Sequence, residues 1–496
     1  MWSLKCTAQN YAWGKLGKDS AVAKFRKNAE DAIMGEKGSF VVDDNKPYAE
    51  LWMGTHPSGP AQICTKDQGD VPLLDFIKQN QHFIGSVPDD YPADDLPFMF
   101  KVLSIRTALS IQAHPDKRLA RKLHKEFPTV YKDGNHKPEM AIALTDFEGM
   151  MGFRPVIEIR NHFDRYPELA AICGAEAVRA IETLAPRGGK YDWTDEFYSS
   201  SGLGDLRNEE NGSYGVKGSA EWNALRDLVL HLLDYPEADS DRQLATLISR
   251  LEAEEKAAVA DGRPFAYVKG LILRLNQQYP GDRGILFPLL LNTVHMRAGQ
   301  SFYMGANEPH AYVSGDILEC MALSDNVVRV GLTPKFKDKD TLTTMLHYHS
   351  CNVNFLHPER VDACTYVYRP PSRSCAEFEI ERVVLPCKSG GFTYSLQKHA
   401  CASIIIFIGG SGPDTGATMA WEGNGEKGET QPVPAVGSCT FLAAGVTLTI
   451  TTGSEVGMEL YRSHINLGDT SGRSRFNTGD SVEGGLEELV NSASVA

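Results

Sequence analysis

The 496-residue sequence predicts a mainly β protein: a barrel or sandwich interrupted by a helical insertion, then a second jelly-roll-like β unit. Three observations lead there. Short apolar runs punctuated by Gly, Pro and Asp fill the first third of the chain and return after about residue 284. Between them, apolar residues change to steps of three and four, the period of a helix with one buried face. From about residue 356 short strands separated by Gly-rich turns resume and continue to about 465.

The spacing divides the chain into residues 1–155 plus 281–355 as one β domain, 156–280 as the helical insertion, 356–465 as the second β domain and 466–496 as a polar tail. In the first segment, 98–103 and 109–113 read as a hairpin turning near Arg106, and 140–144 as another strand. In the insertion, Trp222, Leu225, Val229 and Leu232 form one stripe, and Leu244, Leu247, Ile248 and Leu251 repeat it. A connection of over a hundred residues needs structure of its own, and this periodicity supplies it. Strands are then expected over 285–294, 300–304, 316–323 and 327–330. The second domain should hold strands over 378–385, 404–408, 438–442 and 446–452. Ala443-Ala444-Gly445 echoes Arg297-Ala298-Gly299, which reads as distant duplication. The second copy lacks the polar sets described below and is expected to bind no metal. Ile404 to Ile408 followed by Gly409-Gly410-Ser411-Gly412 imitates a dinucleotide-binding turn, but no helical pattern follows, so a loop between strands is expected.

Composition narrows the function. A formal net charge of −14 with no basic stripe argues against a nucleic-acid partner, and means an anionic substrate needs a local cationic patch. The longest apolar stretches fall short of a membrane span. The start lacks an apolar leader, and ten scattered cysteines form no Cys-x-x-Cys pair, as expected for a cytoplasmic protein with reduced thiols.

The chemistry concentrates in three stretches. In an extended strand residues two apart share a face, so Ser110, Gln112 and His114 project together. Three polar groups on one face indicate a cavity, not a core. His310, in Glu308-Pro309-His310, and Glu139, in His136-Lys137-Pro138-Glu139, can complete a coordination sphere. Two imidazoles, a carboxylate and an amide oxygen suit a borderline divalent ion such as zinc, with Gln112 the least usual ligand. A lone histidine is more often structural, so the argument rests on the set. Lys137 brings a cation near the ion, although a surface role is the ordinary fate of a lysine, as for Lys101, Lys335 and Lys337. Arg329, inside Val327-Val328-Arg329-Val330, and Glu319, inside Leu318-Glu319-Cys320-Met321, are charges in apolar strands that must be paired or functional.

Four long motifs carry a resemblance. The runs from Tyr48 to Pro57, Leu109 to Pro115, Asn135 to Met140 and Gly305 to Tyr312 closely resemble those of type I mannose-6-phosphate isomerases, in the same order; the tail after about 466 finds no counterpart. The resemblance implies cupin-type β-barrels with a helical domain inserted in the catalytic one. It implies one zinc per chain on Gln112, His114, Glu139 and His310, and a catalytic role for Arg329. Ser110, Lys101 and Lys335 fall where phosphate contacts are expected. The implied activity is reversible interconversion of mannose 6-phosphate and fructose 6-phosphate through an enediol, feeding mannose toward GDP-mannose and glycosylation. Glu319 or Lys137 could be the base; Arg329 could hold developing charge, since its pKa forbids a base role. The expected partner is a small sugar phosphate bound to a monomer, without nucleic acid or membrane. Two rivals stay open: an iron oxygenase built on His114, His310 and Glu139, and a non-catalytic sugar-phosphate binder on the same fold.

Overall fold

The structure is a computed structural model that describes residues 1–34, 40–65, 69–186, 198–199, 216–350, 353, 355–371, 374–453 and 455–466. The expected polar tail, but for its first residue, and part of the insertion lie outside these residues.

The long strand His310–Ala322 organises the first barrel. Its beginning pairs with Phe147–Phe153 and touches Ile111–Ala113 at His310, while its far half pairs with Phe98–Ile105 and Glu139–Ala143. All four pairings are antiparallel. Gly315, where the pairing with Phe98–Ile105 begins, has a φ of +116°. A Cβ there would lie 2.6 Å from the Asp146 carbonyl oxygen and 2.8 Å from Phe147 Cα. Both the backbone conformation and the space exclude a side chain. Gly315→Ala should therefore destabilise the protein by on the order of 2–4 kcal/mol, seen as a fall in melting temperature.

Two local expectations are corrected. Phe98–Ile105 and Ile111–Ala113 do not form a hairpin with each other. Each runs along a different part of His310–Ala322, in register Gly315 with Ile105 and His310 with Gln112. The chain between them crosses over, held by the Leu109 amide donating to the Tyr312 carbonyl. The expected strand over 285–294 is half helical: Arg283–Leu289 is a 3-10 helix, capped by Asp282 on the Gly284 amide, and the strand is Leu291–Met296. A short, fully buried apolar run does not distinguish the two by periodicity.

The insertion packs Val156–Arg165, Pro167–Cys173, Ala175–Leu184, Ala220–Asp234, Glu237–Ala260 and Tyr267–Gln278 into one cluster. Trp222, Leu225, Val229, Leu232, Leu244, Leu247 and Leu251 are buried there together with Ile111, Ala113 and Val328 of the barrel. The helices thus brace the short strand that carries Gln112 from behind.

The second unit is built around Glu379–Leu385, Ser403–Gly409, Cys439–Leu442 and Met458–His464. Its sheet continues through Trp2–Lys5, Gln62–Thr65 and Gly69–Pro72. The first segment therefore supplies three strands to the second unit, which a division at residue 356 did not anticipate. Alternation within single strands carries no information about which distant sheet they join. The Gly-rich run after Ser403–Gly409 leads to a 3-10 turn at Pro413–Thr415 and the strand Thr418–Gly423, as a loop between strands should. Gly299 and Gly445, the last residues of the two echoing tripeptides, both take positive φ, +84° and +74°.

Candidate active site

Arg329, Gln112 and His310 form one row across three neighbouring strands. Gln112 lies directly opposite His310 on one side and opposite Arg329 on the other. Residues directly opposite in antiparallel strands project to the same face, so amide, imidazole and guanidinium share a surface. Ser110 is on it too, its Oγ donating to Gln112 Oε1 at 3.3 Å.

Next to this row Glu139 stands between two imidazoles. His114 Nε2 is 3.3 Å from Glu139 Oε1, and His310 Nε2 is 3.3 Å from Glu139 Oε2. All three side chains are buried. Each histidine is fixed through its other nitrogen: His114 Nδ1 meets the Asn326 carbonyl at 2.7 Å, and His310 Nδ1 meets the Glu308 carbonyl at 2.9 Å. A carbonyl can only accept, so both Nδ1 atoms carry the proton, and in a neutral imidazole so oriented Nε2 presents the lone pair. Neither Nε2 has a hydrogen-bond partner. Two buried lone pairs beside a carboxylate would be costly in a dry interior. A divalent cation resolves that cost, and the carbonyl backing is the usual orientation device for metal-bound imidazoles. The residues present fit a metal.

Electrostatics points the same way. Burial works against ionisation of Glu139, but His114, His310 and Lys137 outweigh it and hold the carboxyl well below its ordinary range. Burial pushes His114 down to about 4 despite Glu139, so its imidazole is neutral at ordinary pH. Lys137 Nζ lies 3.6 Å from Glu139 Oε1.

Lys101 and Glu319 form a second layer. Lys101 Nζ donates to Glu319 Oε2 at 3.0 Å, lies 3.6 Å from Glu50 Oε2 and sits over the Trp52 ring. Burial alone would lower the lysine pKa, but Glu319 and Glu50 reverse this and raise it. Burial raises Glu319, Lys101 opposes, and the nearby Glu139 and Glu50 leave it raised. Tyr312 joins this layer to the first: its hydroxyl donates to Glu319 Oε1 at 2.9 Å and lies 3.5 Å from Glu139 Oε2.

Lys335 lies elsewhere. With Arg329, Tyr131, Phe336, Asp325 and Asp338 it lines an open cavity of about 320 Å³. The two acids there are already engaged, Asp325 with His56 Nε2 at 3.2 Å and Asp338 with the Tyr131 hydroxyl at 2.6 Å. Among the described residues no carboxylate pairs with Arg329, and burial lowers its pKa without discharging it. The three residues expected at a phosphate thus fall in different places: Lys335 in this cavity, Ser110 beside Gln112, and Lys101 locked against Glu319.

Sequence reasoning passed over Tyr312 and Asn326. Tyr312 was within reach, since it sits two residues after His310 on one strand and so shares its face. Asn326 acts through its backbone carbonyl, which leaves no mark on residue type. The second unit holds a His-Glu-His cluster of its own, Glu381, His399 and His464, assembled from residues too far apart to read as a motif. There the rings stack 4.0 Å apart at 27°, and both Nε2 atoms face the same Glu381 oxygen, at 3.0 Å from His399 and 3.7 Å from His464. His399 Nε2 is already bonded to Glu381 at 3.0 Å, and Arg462 Nη1 lies 3.4 Å from its other oxygen. It reads as a polar core.

Comparison with known proteins follows this geometry. Family models for the catalytic domain and the helical insertion domain of type I phosphomannose isomerase match residues 1–156 and 206–291. The chain is 38% identical over 447 residues to a probable mannose-6-phosphate isomerase of Echinococcus multilocularis, covering 88% of this chain and 94% of that one. It is 37% identical over 416 residues to mannose-6-phosphate isomerase of Homo sapiens, covering 83% and 88%. Among solved structures, a zinc-bound mannose 6-phosphate isomerase superposes with a TM-score of 0.67 at 24% identity over 94% of this chain and 99% of that one. A phosphomannose isomerase variant from Salmonella typhimurium gives 0.69, also at 24%, over 94% and 100%. The strand-rich architecture with its inserted helices is shared with these structures, and on the strength of the relatives matched nearly end to end this chain belongs to the type I phosphomannose isomerase family.

Proposed function

We propose that this chain reversibly converts mannose 6-phosphate to fructose 6-phosphate, with one zinc ion held by Gln112, His114, Glu139 and His310. The observation that carries the reading is the pair of buried, unpartnered Nε2 atoms facing opposite oxygens of Glu139. The relatives' names supply the substrates. When bound, zinc supplies Lewis-acid stabilisation to sugar oxygens, worth several kcal/mol in such reactions.

The remaining steps belong to side chains. The Lys335 cavity takes the phosphate, and binding energy from that remote group is spent on orienting C1 and C2. Arg329, lining the same cavity and sharing a row with Gln112, donates to the oxygen on which negative charge develops. A base then moves the proton between C2 and C1. Both oxygens of Glu319 are occupied, by Tyr312 and Lys101. Among the described residues Lys137 pairs with no carboxylate but Glu139, at 3.6 Å, and is the group free to meet the sugar. We therefore assign proton handling to Lys137, which takes the proton as its neutral amine and returns it from the ammonium so formed, and give Glu319 and Lys101 a supporting part.

Lys137→Ala should lower kcat by about 10²–10⁴-fold, the usual worth of a positioned base. Glu319→Gln should cost less than about tenfold in kcat, yet lower the melting temperature by leaving Lys101 buried with one partner fewer. The opposite ranking in a steady-state assay would exchange the two roles. The reading as a whole is tested by coupled detection of fructose 6-phosphate formed from mannose 6-phosphate. Activity should vanish with a chelator and return with zinc; chelator-resistant turnover would overturn it. Monomeric state, a cytoplasmic location and supply of mannose to GDP-mannose synthesis belong to the same proposal. For location, the structure contributes only that none of its described helices is long and apolar enough to cross a membrane.

A further inference from the structure

We propose that Glu377, which enters from the second β unit, is a positioning residue that aims Lys137 at the reacting sugar. The inference rests on the isomerase reading above and gives the second unit a part in it. Glu377 is 1% exposed, although it is reached across 241 residues by His136 and 286 by Tyr91. Its Oε1 accepts from the Tyr91 hydroxyl at 2.5 Å and from His136 Nε2 at 2.5 Å, and Lys117 Nζ stands 3.4 Å away. The loop that delivers it is itself tied down: buried Asn466 donates to the Pro370 and Cys375 carbonyls at 3.2 and 2.9 Å.

The connection to chemistry runs through two residues. His136 precedes Lys137, and Lys137 precedes Pro138, whose ring confines the residue before it to extended backbone. In extended backbone successive side chains leave on opposite sides. A bond that holds His136 toward the second unit therefore turns Lys137 toward the barrel, where its Nζ lies 3.6 Å from Glu139 Oε1. The same stretch is pinned from the other side. Asn135 Nδ2 donates to the Leu323 carbonyl at 3.1 Å, and the Asn135 carbonyl accepts from Asn326 Nδ2 at 3.0 Å. The lysine is thus clamped between two units without touching Glu377. Burial opposes charge on Glu377, but His136 and Tyr91 outweigh it and hold the carboxyl down to about 2, so Glu377→Gln removes a charge at any assay pH.

The test is a double-mutant cycle on the zinc-loaded full chain with mannose 6-phosphate. Glu377→Gln should lower kcat about tenfold with KM and zinc per chain changed less than about twofold. In a Lys137→Ala background the same change should cost less than about twofold, because residues acting through one another are not additive. Glu377→Asp should recover part of the loss. An additive cost, a loss traced to KM or zinc content, or an unchanged kcat would overturn the proposal. Should Glu377→Gln not fold, His136→Gln enters the cycle in its place with the same expectation. A wild-type chain with no isomerase activity would instead refute the reading on which this rests.

Discussion

Changing His114 to alanine should leave the protein without stoichiometric zinc and lower isomerase turnover by on the order of 10³-fold or more. His114 is buried, its Nδ1 is committed to the Asn326 carbonyl, and its Nε2 lies 3.3 Å from Glu139 Oε1 without a hydrogen-bond partner. Alanine removes one of two imidazole ligands and opens a cavity between the sheet and Glu139. It also removes one of the two imidazoles that flank Glu139. Metal analysis by atomic emission, beside the coupled assay, reads both effects. His310→Ala should behave alike, since its Nε2 faces the other Glu139 oxygen at the same 3.3 Å. A metal-free His114→Ala protein with full turnover would end the metal reading and leave Glu139 as an ordinary buried acid.

That prediction was available almost entirely from residue order. Ser110-Ile111-Gln112-Ala113-His114 announces a polar face because alternation along a strand is local. His310 and Glu139, the latter beside a proline-fixed turn, follow as the second imidazole and the carboxylate that complete a ligand set. Arg329 was legible on the same ground, as a charge in an apolar strand, and its register opposite Gln112 bears on that reading. What stayed hidden depends on pairing between distant segments. Nothing in Phe98–Ile105 states that it lies along the far half of His310–Ala322 instead of turning back on Ile111–Ala113. Nothing in Lys101 states that Glu319 lies directly opposite it, which makes a presumed surface cation a buried partner. Trp2–Lys5 joins a sheet whose next strand is Cys439–Leu442, over four hundred residues on. Glu377 is the functional counterpart of the same limit. It is one acid among many until the fold sets it against His136.

Arg329→Ala separates positioning from metal holding and should retain one zinc per chain while kcat falls by about 10²–10³-fold. The guanidinium is half-buried between Gln112 and the cavity shared with Lys335, and no carboxylate among the described residues neutralises it. A structural arginine in such a strand would be expected to hold a carboxylate, as Arg462 holds Glu381 in the second unit. An unpaired one, with the two acids of its cavity already bonded to His56 and Tyr131, is available to an anionic or charge-developing oxygen. Removing it should therefore spare the fold and cost transition-state stabilisation. Arg329→Lys makes the discrimination sharper. Lysine keeps the charge but replaces a planar fork by a point, so it should preserve phosphate attraction, and hence KM, better than kcat. If Arg329→Ala instead loses zinc in parallel with activity, the guanidinium acts by holding Gln112 in place. Its role would then be structural, and charge development would fall to the metal and Lys137 alone.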